Sequence, residues 1–256
     1  MSIAIFDSGI GGLSVWREIQ KLIPEADLLY LADQAHVPYG GQPVAEIRRF
    51  MFEITKRLIG EGAEVIVVAC NTATAAGLTT LRKSYPGMSF VGMEPAIKSA
   101  AYLTHSGRIG VMATQGTLKS ERYRQLSERF ANGLQIFEDP CLGLVHEIEK
   151  GNFDSDRLTG MLQAVVRPMI KNGVDTIILG CTHYPLILPQ LRAVVGPDIT
   201  LIDPAPAVAR QTLRLWNQLG KRTEDTDKKG TYRFVTTGDN HQFKAQLKKL
   251  DIGVTL

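Results

Sequence analysis

Short apolar runs alternate along this chain with longer amphipathic stretches. The runs at 3–6, 28–31, 65–69, 90–92, 109–112, 134–137, 177–179 and 200–202 predict strands buried on both faces, with a late strand at 232–235. Between them, Ile47, Phe50, Met51, Ile54 and Leu58 recur at three- and four-residue steps, the spacing of one helix face. Leu158, Leu162, Val165 and Met169 do the same, with a kink expected at Pro168. Val208, Thr212, Leu215 and Leu219 predict a third helix, closed by Gly220. Strand and helix in alternation predict an α/β fold.

The pattern also repeats. Residues 3–8 (IAIFDS) resemble 109–114 (IGVMAT), and 28–33 (LLYLAD) resemble 134–139 (LQIFED). Residues 62–70 (GAEVIVVAC) resemble 173–181 (GVDTIILGC). Three blocks in one order predict two similar lobes, each a mostly parallel sheet flanked by helices. A pseudo-twofold axis would relate them, with the active site between. The expected boundaries are 1–97 plus 207–256 for the first lobe and 98–206 for the second.

Composition narrows the function classes. The 256 residues are 44% hydrophobic and 21% charged with a net charge of +3, so a sizeable core needs no disulfide or metal staple. That charge is too mild to indicate nucleic acid as a partner. Lys228 and Lys229, set among Glu224, Asp225 and Asp227, predict a solvated loop. No apolar run is long enough for a membrane span, and the start of the chain lacks the basic-then-apolar pattern of an export signal. Three cysteines, an odd number, point to a reducing cytoplasmic compartment.

Two of those cysteines carry the chemistry. Cys70 and Cys181 each follow a strand at equivalent places in the repeat, and each precedes small polar residues: Asn71 and Thr72 after the first, Thr182 and His183 after the second. In parallel α/β folds, ligands bind beyond the carboxyl ends of strands, where helix N-termini present free N–H groups. The same dipole predicts lowered thiol pKa values. One thiol from each lobe, facing a carbon from opposite sides, suits inversion of a stereocentre through a planar carbanion. Cys141 has no such context and reads as a buried apolar residue. Metal is not expected, because there is no Cys-x-x-Cys and Cys181-x-His183 lacks ligand spacing.

Other residues at strand ends would hold the substrate. Asp7 could orient an ammonium group, assist Cys70 or cap a helix, and Ser8 follows it; Thr114 and Thr117 occupy the matching place in the second half. Gly9, Gly11 and Gly12 do not complete a dinucleotide fingerprint, since Ser14 stands where its third glycine belongs. The loop 33–40 reads equally as a turn or as a wall over the site. His183 lies close enough to Cys181 to assist it, whereas His36, His105, His146 and His241 read as surface residues.

Four motifs carry a family resemblance: Phe6-Asp7-Ser8-Gly9-Ile10-Gly11-Gly12, Val37-Pro38-Tyr39-Gly40, Ala69-Cys70-Asn71-Thr72-Ala73 and Leu179-Gly180-Cys181-Thr182-His183-Tyr184-Pro185-Leu186. With the late Thr237-Gly238-Asp239, they closely resemble the glutamate racemases of bacterial cell-wall synthesis. Aspartate racemases share Cys-Asn-Thr but carry Glu where this chain has His183. The resemblance implies catalysis without pyridoxal phosphate, metal or nucleotide. It implies Cys70 as the base toward D-glutamate, paired with Asp7, and Cys181 as the base toward L-glutamate, paired with His183. A further assisting acid falls in the segment 141–151, where Glu149 aligns best and Glu147 is the alternative. Ser8, Tyr39, Gly40, Asn71, Thr72, Thr114, Thr117, Thr182 and His183 would line the substrate pocket. Homodimers are common in such families, but no self-complementary patch in the sequence specifies one. A related aspartate racemase is the nearest alternative; a two-lobed amino-acid-binding protein would leave the paired cysteines unexplained.

Overall fold

The structure is a computed structural model describing residues 2–220 and 229–252. The charged stretch containing Glu224, Asp225, Asp227 and Lys228 lies outside the described residues.

The chain begins with β1 (Ser2–Asp7), α1 (Leu13–Leu22), β2 (Asp27–Ala32), a 3-10 turn at Tyr39–Gly41, α2 (Val44–Gly60), β3 (Ala63–Val68), α3 (Asn71–Ser84) and β4 (Ser89–Gly92). There follow α4 (Ile97–Leu103), β5 (Arg108–Ala113), α5 (Gln115–Leu118), α6 (Glu121–Phe130), β6 (Gln135–Asp139), α7 (Leu144–Glu149), α8 (Asp156–Lys171) and β7 (Thr176–Gly180). A second 3-10 turn at Tyr184–Ile187 leads to α9 (Leu188–Val195) and β8 (Thr200–Ile202). The last elements are α10 (Ala205–Gln218), β9 (Tyr232–Thr236) and α11 (Asn240–Lys249).

Two wholly parallel sheets result, one for each lobe, ordered β4-β3-β1-β2-β9 and β8-β7-β5-β6. Strands β1 to β4 therefore correspond one for one to β5 to β8, in the order of the repeated sequence blocks. In both sheets the chain crosses to one side after the first strand and to the other after the third strand. This places a switch point between β1 and β3, and another between β5 and β7, and ligands bind at the carboxyl ends of such strand pairs.

Strand side chains alternate between two packed faces. Ile3 and Ile5 pack toward Val15, Ile19, Val208 and Ala209, whereas Ala4 and Phe6 pack toward Phe50, Ile54 and Ala73. All four strand residues are fully buried, and burying a side chain the size of Phe6 contributes about 1.5–3 kcal/mol. In the second sheet Ile109 and Val111 face Ile97, Ala100 and Tyr123, while Ile177 and Leu179 face the α8 side.

The helix faces differ from the sequence expectation at two places. In α8 the buried stripe is Leu158, Leu162, Val166 and Met169, and Val165 lies at its edge, partly buried. In α10 the stripe is Val208, Thr212 and Trp216, with Leu219 40% exposed, because four-residue steps from Val208 bring the indole, not Leu215 or Leu219, onto α1 and the first sheet. Gly220 follows the helix at φ +67°, the left-handed geometry of a helix stop. Among the described residues no helix is long and apolar enough to cross a membrane.

Candidate active site

The carboxyl ends of both switch points meet at one small cavity of about 260 Å³ of empty space. It is lined by Ser8 after β1, Cys70, Asn71 and Thr72 after β3, Thr114 after β5 and Cys181, Thr182 and His183 after β7. The turn residues Pro38, Tyr39 and Gly40 complete it, so the loop 33–40 is a wall, and Val145 of α7 closes another side. The two cysteine sulfurs thus come from opposite lobes to one space, each residue 6% exposed. Asp7 and Thr117 do not line the cavity; they stand behind it.

Cys70 occupies the N-cap of α3, where its sulfur accepts from the Ala73 N–H at 3.5 Å and its thiol points to the Ser8 hydroxyl at 4.0 Å. The helix end therefore does stabilise the sulfur, as its position in the sequence predicts. The expected lowering of its pKa is nevertheless overturned. Complete burial and the neighbouring Asp7 carboxylate push the Cys70 thiol well above its ordinary value, outweighing the Ala73 N–H.

Asp7 is fully buried. Its Oδ2 accepts from the Gly12 N–H at 2.8 Å and from the Thr182 hydroxyl at 3.3 Å, while Oδ1 has no partner among the described residues. Burial raises its pKa, with the charge of His183 opposing. Asn71 is buried too, and both polar atoms of its side chain lack partners among the described residues. Unpaired buried polar atoms are costly, so the Asn71 amide in the cavity wall suits a ligand carrying both a donor and an acceptor. The Thr72 and Thr114 hydroxyls join across the lobes at 2.8 Å, with Thr117 buttressing both at 3.4 and 3.1 Å.

On the other side, His183 Nδ1 faces the Cys181 sulfur at 3.7 Å and His183 Nε2 lies 2.6 Å from Glu149 Oε1. Burial alone would depress the imidazole pKa, but its hydrogen bonds to Cys181 and Glu149 hold it well above 6.5. Burial likewise opposes ionisation of Glu149, but His183, Gln34 and the Ile10 N–H outweigh it and hold the carboxyl below its ordinary range. Glu147 points elsewhere, to Lys150 at 3.2 Å and Arg157 at 3.3 Å.

The glycines after Asp7 owe their place to close approach. A Cβ on Gly9 would lie 1.9 Å from Glu149 Oε1, and one on Gly11 would lie 2.3 Å from His183 Nδ1. Expected as a surface residue, His36 is half-buried; it stacks on Phe50 at 3.9 Å and pairs with the buried Asp33 at 2.8 Å. Asp33 also accepts from the Tyr39 hydroxyl at 2.6 Å, which fixes that ring in the cavity wall. Cys141 is buried, as expected, and His105, His146 and His241 are exposed. Sequence reasoning missed Pro38, Val145, Gln34 and Gln246. Pro38, Val145 and Gln34 lay within segments already singled out, whereas Gln246 carried no signal of its own.

Two duplicated parallel lobes that bring one cysteine each to a shared cavity with polar walls define an enzyme of the racemase class. The chain belongs to the Asp/Glu/Hydantoin racemase family, whose model matches residues 12–212. It is 44% identical to a glutamate racemase of Roseiflexus sp. over 98% of this chain and 92% of that one. To a glutamate racemase of Ectopseudomonas mendocina it is 46% identical over 97% and 94% of the two chains. Among solved structures, Escherichia coli glutamate racemase in complex with L-glutamate and the activator UDP-MurNAc-ala superposes with a TM-score of 0.84 at 33% identity, covering 97% of this chain and 95% of that one. Glutamate racemase isoform RacE1 from Bacillus anthracis gives 0.86 at 31%, covering 97% and 92%.

Proposed function

We propose that this protein interconverts L- and D-glutamate by a two-base mechanism and supplies D-glutamate for peptidoglycan. The observation that carries the reading is the single cavity lined by both Cys70 and Cys181. The curated relatives of similar length, at 44% and 46% identity, favour glutamate over aspartate as the substrate.

In the L-to-D direction the Cys181 thiolate removes the α-proton, and the electron pair of the C–H bond passes into the substrate carboxylate as an enediolate-like carbanion. The Cys70 thiol then delivers its proton to the opposite face of the same carbon. Cys181 ends as the thiol and Cys70 as the thiolate, so the next D-to-L turnover runs with the roles reversed. Burial of Cys70 beside Asp7 favours its protonated form, which fits the donor role in the first of these directions. Asp7, buried behind the cavity, would act through Cys70, while Asn71, Thr72 and Thr114 would hold the polar groups of the substrate. Withdrawing water from the site strengthens each of these interactions. The three unbridged cysteines suit a reducing cytoplasm.

The test is incubation of the purified protein with L-glutamate in D₂O, without added cofactor, following optical activity and α-deuterium. Loss of optical activity with solvent deuterium at Cα is expected, and neither Cys70→Ala nor Cys181→Ala should racemise. Native-rate racemisation by either variant overturns the two-base scheme. A wild-type chain that racemises aspartate and not glutamate overturns the substrate assignment.

A further inference from the structure

The Glu149 carboxylate sits at the end of α7 in the second lobe, but most of what holds it comes from the first. The Ile10 N–H donates to Oε1 at 2.7 Å, and the Gln34 side-chain amide donates to Oε2 at 3.0 Å. The same Gln34 amide donates to Gln246 Oε1 at 2.9 Å, while its carbonyl accepts from the Thr236 hydroxyl at 2.9 Å. Gln246 closes the ring by donating to the Glu149 backbone carbonyl at 2.5 Å. Gln34 follows β2, and Gln246 lies on α11, which packs against β9 of the same sheet. Gln246 is 2% exposed, so its amide has no solvent to replace a lost partner.

We propose that Gln34 and Gln246 are positioning residues that make the Cys181 side of the site competent only when the lobes are closed. They fix Glu149, Glu149 fixes the imidazole of His183, and His183 faces the Cys181 sulfur. The inference rests on the racemase reading above. Separating the lobes breaks the Ile10, Gln34 and Gln246 contacts together and leaves Glu149 free to turn from His183. The Cys70 side is built differently. Its companion Asp7 is held chiefly by Gly12 of the same lobe, and the Thr182 hydroxyl at 3.3 Å is its longer, cross-lobe contact. The pseudo-symmetry of the fold therefore ends at the second layer of the site, and loosening the glutamines should act on one face of the substrate carbon.

Equal energies of L- and D-glutamate force kcat/KM to be equal in both directions for any variant, so that ratio cannot report on one face. The α-deuterium isotope effect can. In Gln34→Leu, which loses a hydrogen bond to a charged group, kcat should fall by roughly ten- to a hundred-fold, and in Gln246→Met, which loses one to a neutral carbonyl, by about two- to ten-fold. The isotope effect on kcat/KM should rise with L-glutamate, where Cys181 removes the hydrogen. It should fall with D-glutamate, where delivery by Cys181 becomes the slower step. A proton NMR resonance from the His183–Glu149 hydrogen bond should shift in both variants, a readout that needs no turnover. Unchanged kcat with symmetric isotope effects, or an unshifted resonance, would overturn the proposal. A wild-type protein that does not racemise glutamate overturns the functional reading instead, while the resonance still reports whether the glutamines hold Glu149.

Discussion

His183 Nε2 and Glu149 Oε1 lie 2.6 Å apart, and both residues are buried. The contact selects Glu149 over Glu147 as the proposed assisting acid and ties a second-lobe carboxylate to the residue facing Cys181. The pair also has a pH window. The depressed Glu149 contributes stability that is lost as pH falls through its folded pKa, below 4.5. The raised His183 contributes stability that is lost as pH rises through its folded pKa, above 6.5.

Replacing the carboxylate by an amide tests this directly. In Glu149→Gln the imidazole loses the charge that helps to hold its proton, so its pKa should fall. The alkaline loss of kcat should move to lower pH, with kcat down about ten- to a hundred-fold at neutral pH. Glu147→Gln, whose partners are Lys150 and Arg157, should keep kcat within about two-fold. A pH–rate profile for each variant decides it, and the reverse ranking would remove Glu149 from the site.

Gly9→Ala should be nearly inactive. Its Cβ would fall 1.9 Å from Glu149 Oε1, and that oxygen has no room to retreat from its bonds to Ile10 and His183. Strain of this kind costs about 1–3 kcal/mol of stability. Gly87→Ala, with open space around it, should alter neither melting temperature nor turnover. Thermal unfolding alongside kcat measures both.

The route to the site should be sensitive to charge. An outer crevice of about 460 Å³ shares Gly40 and Thr72 with the inner cavity and is lined by the exposed Arg48 and Lys119. Converting both to Glu should raise KM for glutamate several-fold at low salt, less at high salt, with kcat unchanged, since steering acts before the chemistry. Steady-state kinetics at two ionic strengths would show it; a loss confined to kcat would contradict it.

Asp175 offers a test remote from the site. It accepts from Thr104 Oγ1 at 2.6 Å, the His105 N–H at 2.8 Å and the Ser106 N–H at 2.6 Å, which ties down the turn before β5. Burial opposes its ionisation, but these donors prevail and hold the carboxyl below 3.8. Asp175→Ala should cost about 1 kcal/mol after allowance for solvent screening. A depressed carboxylate stabilises above its unfolded pKa, so the deficit should shrink as pH falls through the acid range. Urea unfolding at neutral and acid pH measures it, and a deficit that grows on acidification would refute it.

Most of the strands and the equivalent places of Cys70 and Cys181 were legible in the sequence because buried parallel strands are uninterrupted apolar runs and the run ending at Cys70 is repeated at Cys181. Helix faces were read less well: Val165 and Val166 are both apolar neighbours, and only the packed partner decides which is inside. The direction of the Cys70 pKa was misread for a related reason. Position at a helix N-terminus shows in a sequence, but complete desolvation and the approach of Asp7 across the sheet do not. The contacts of Gln34 and Gln246 with Glu149 were invisible, because these are ordinary polar residues in a turn and on a helix, and only the meeting of two lobes makes the contacts.

The matching strand orders of the two sheets have a thermodynamic consequence. When substrate and product are mirror images, neither lies downhill, and a catalyst gains nothing from favouring one approach to the carbon. In the proposed two-base scheme, a scaffold assembled twice from a single plan presents both approaches on nearly even terms. What little handedness it retains resides in the unlike companions of its two thiols.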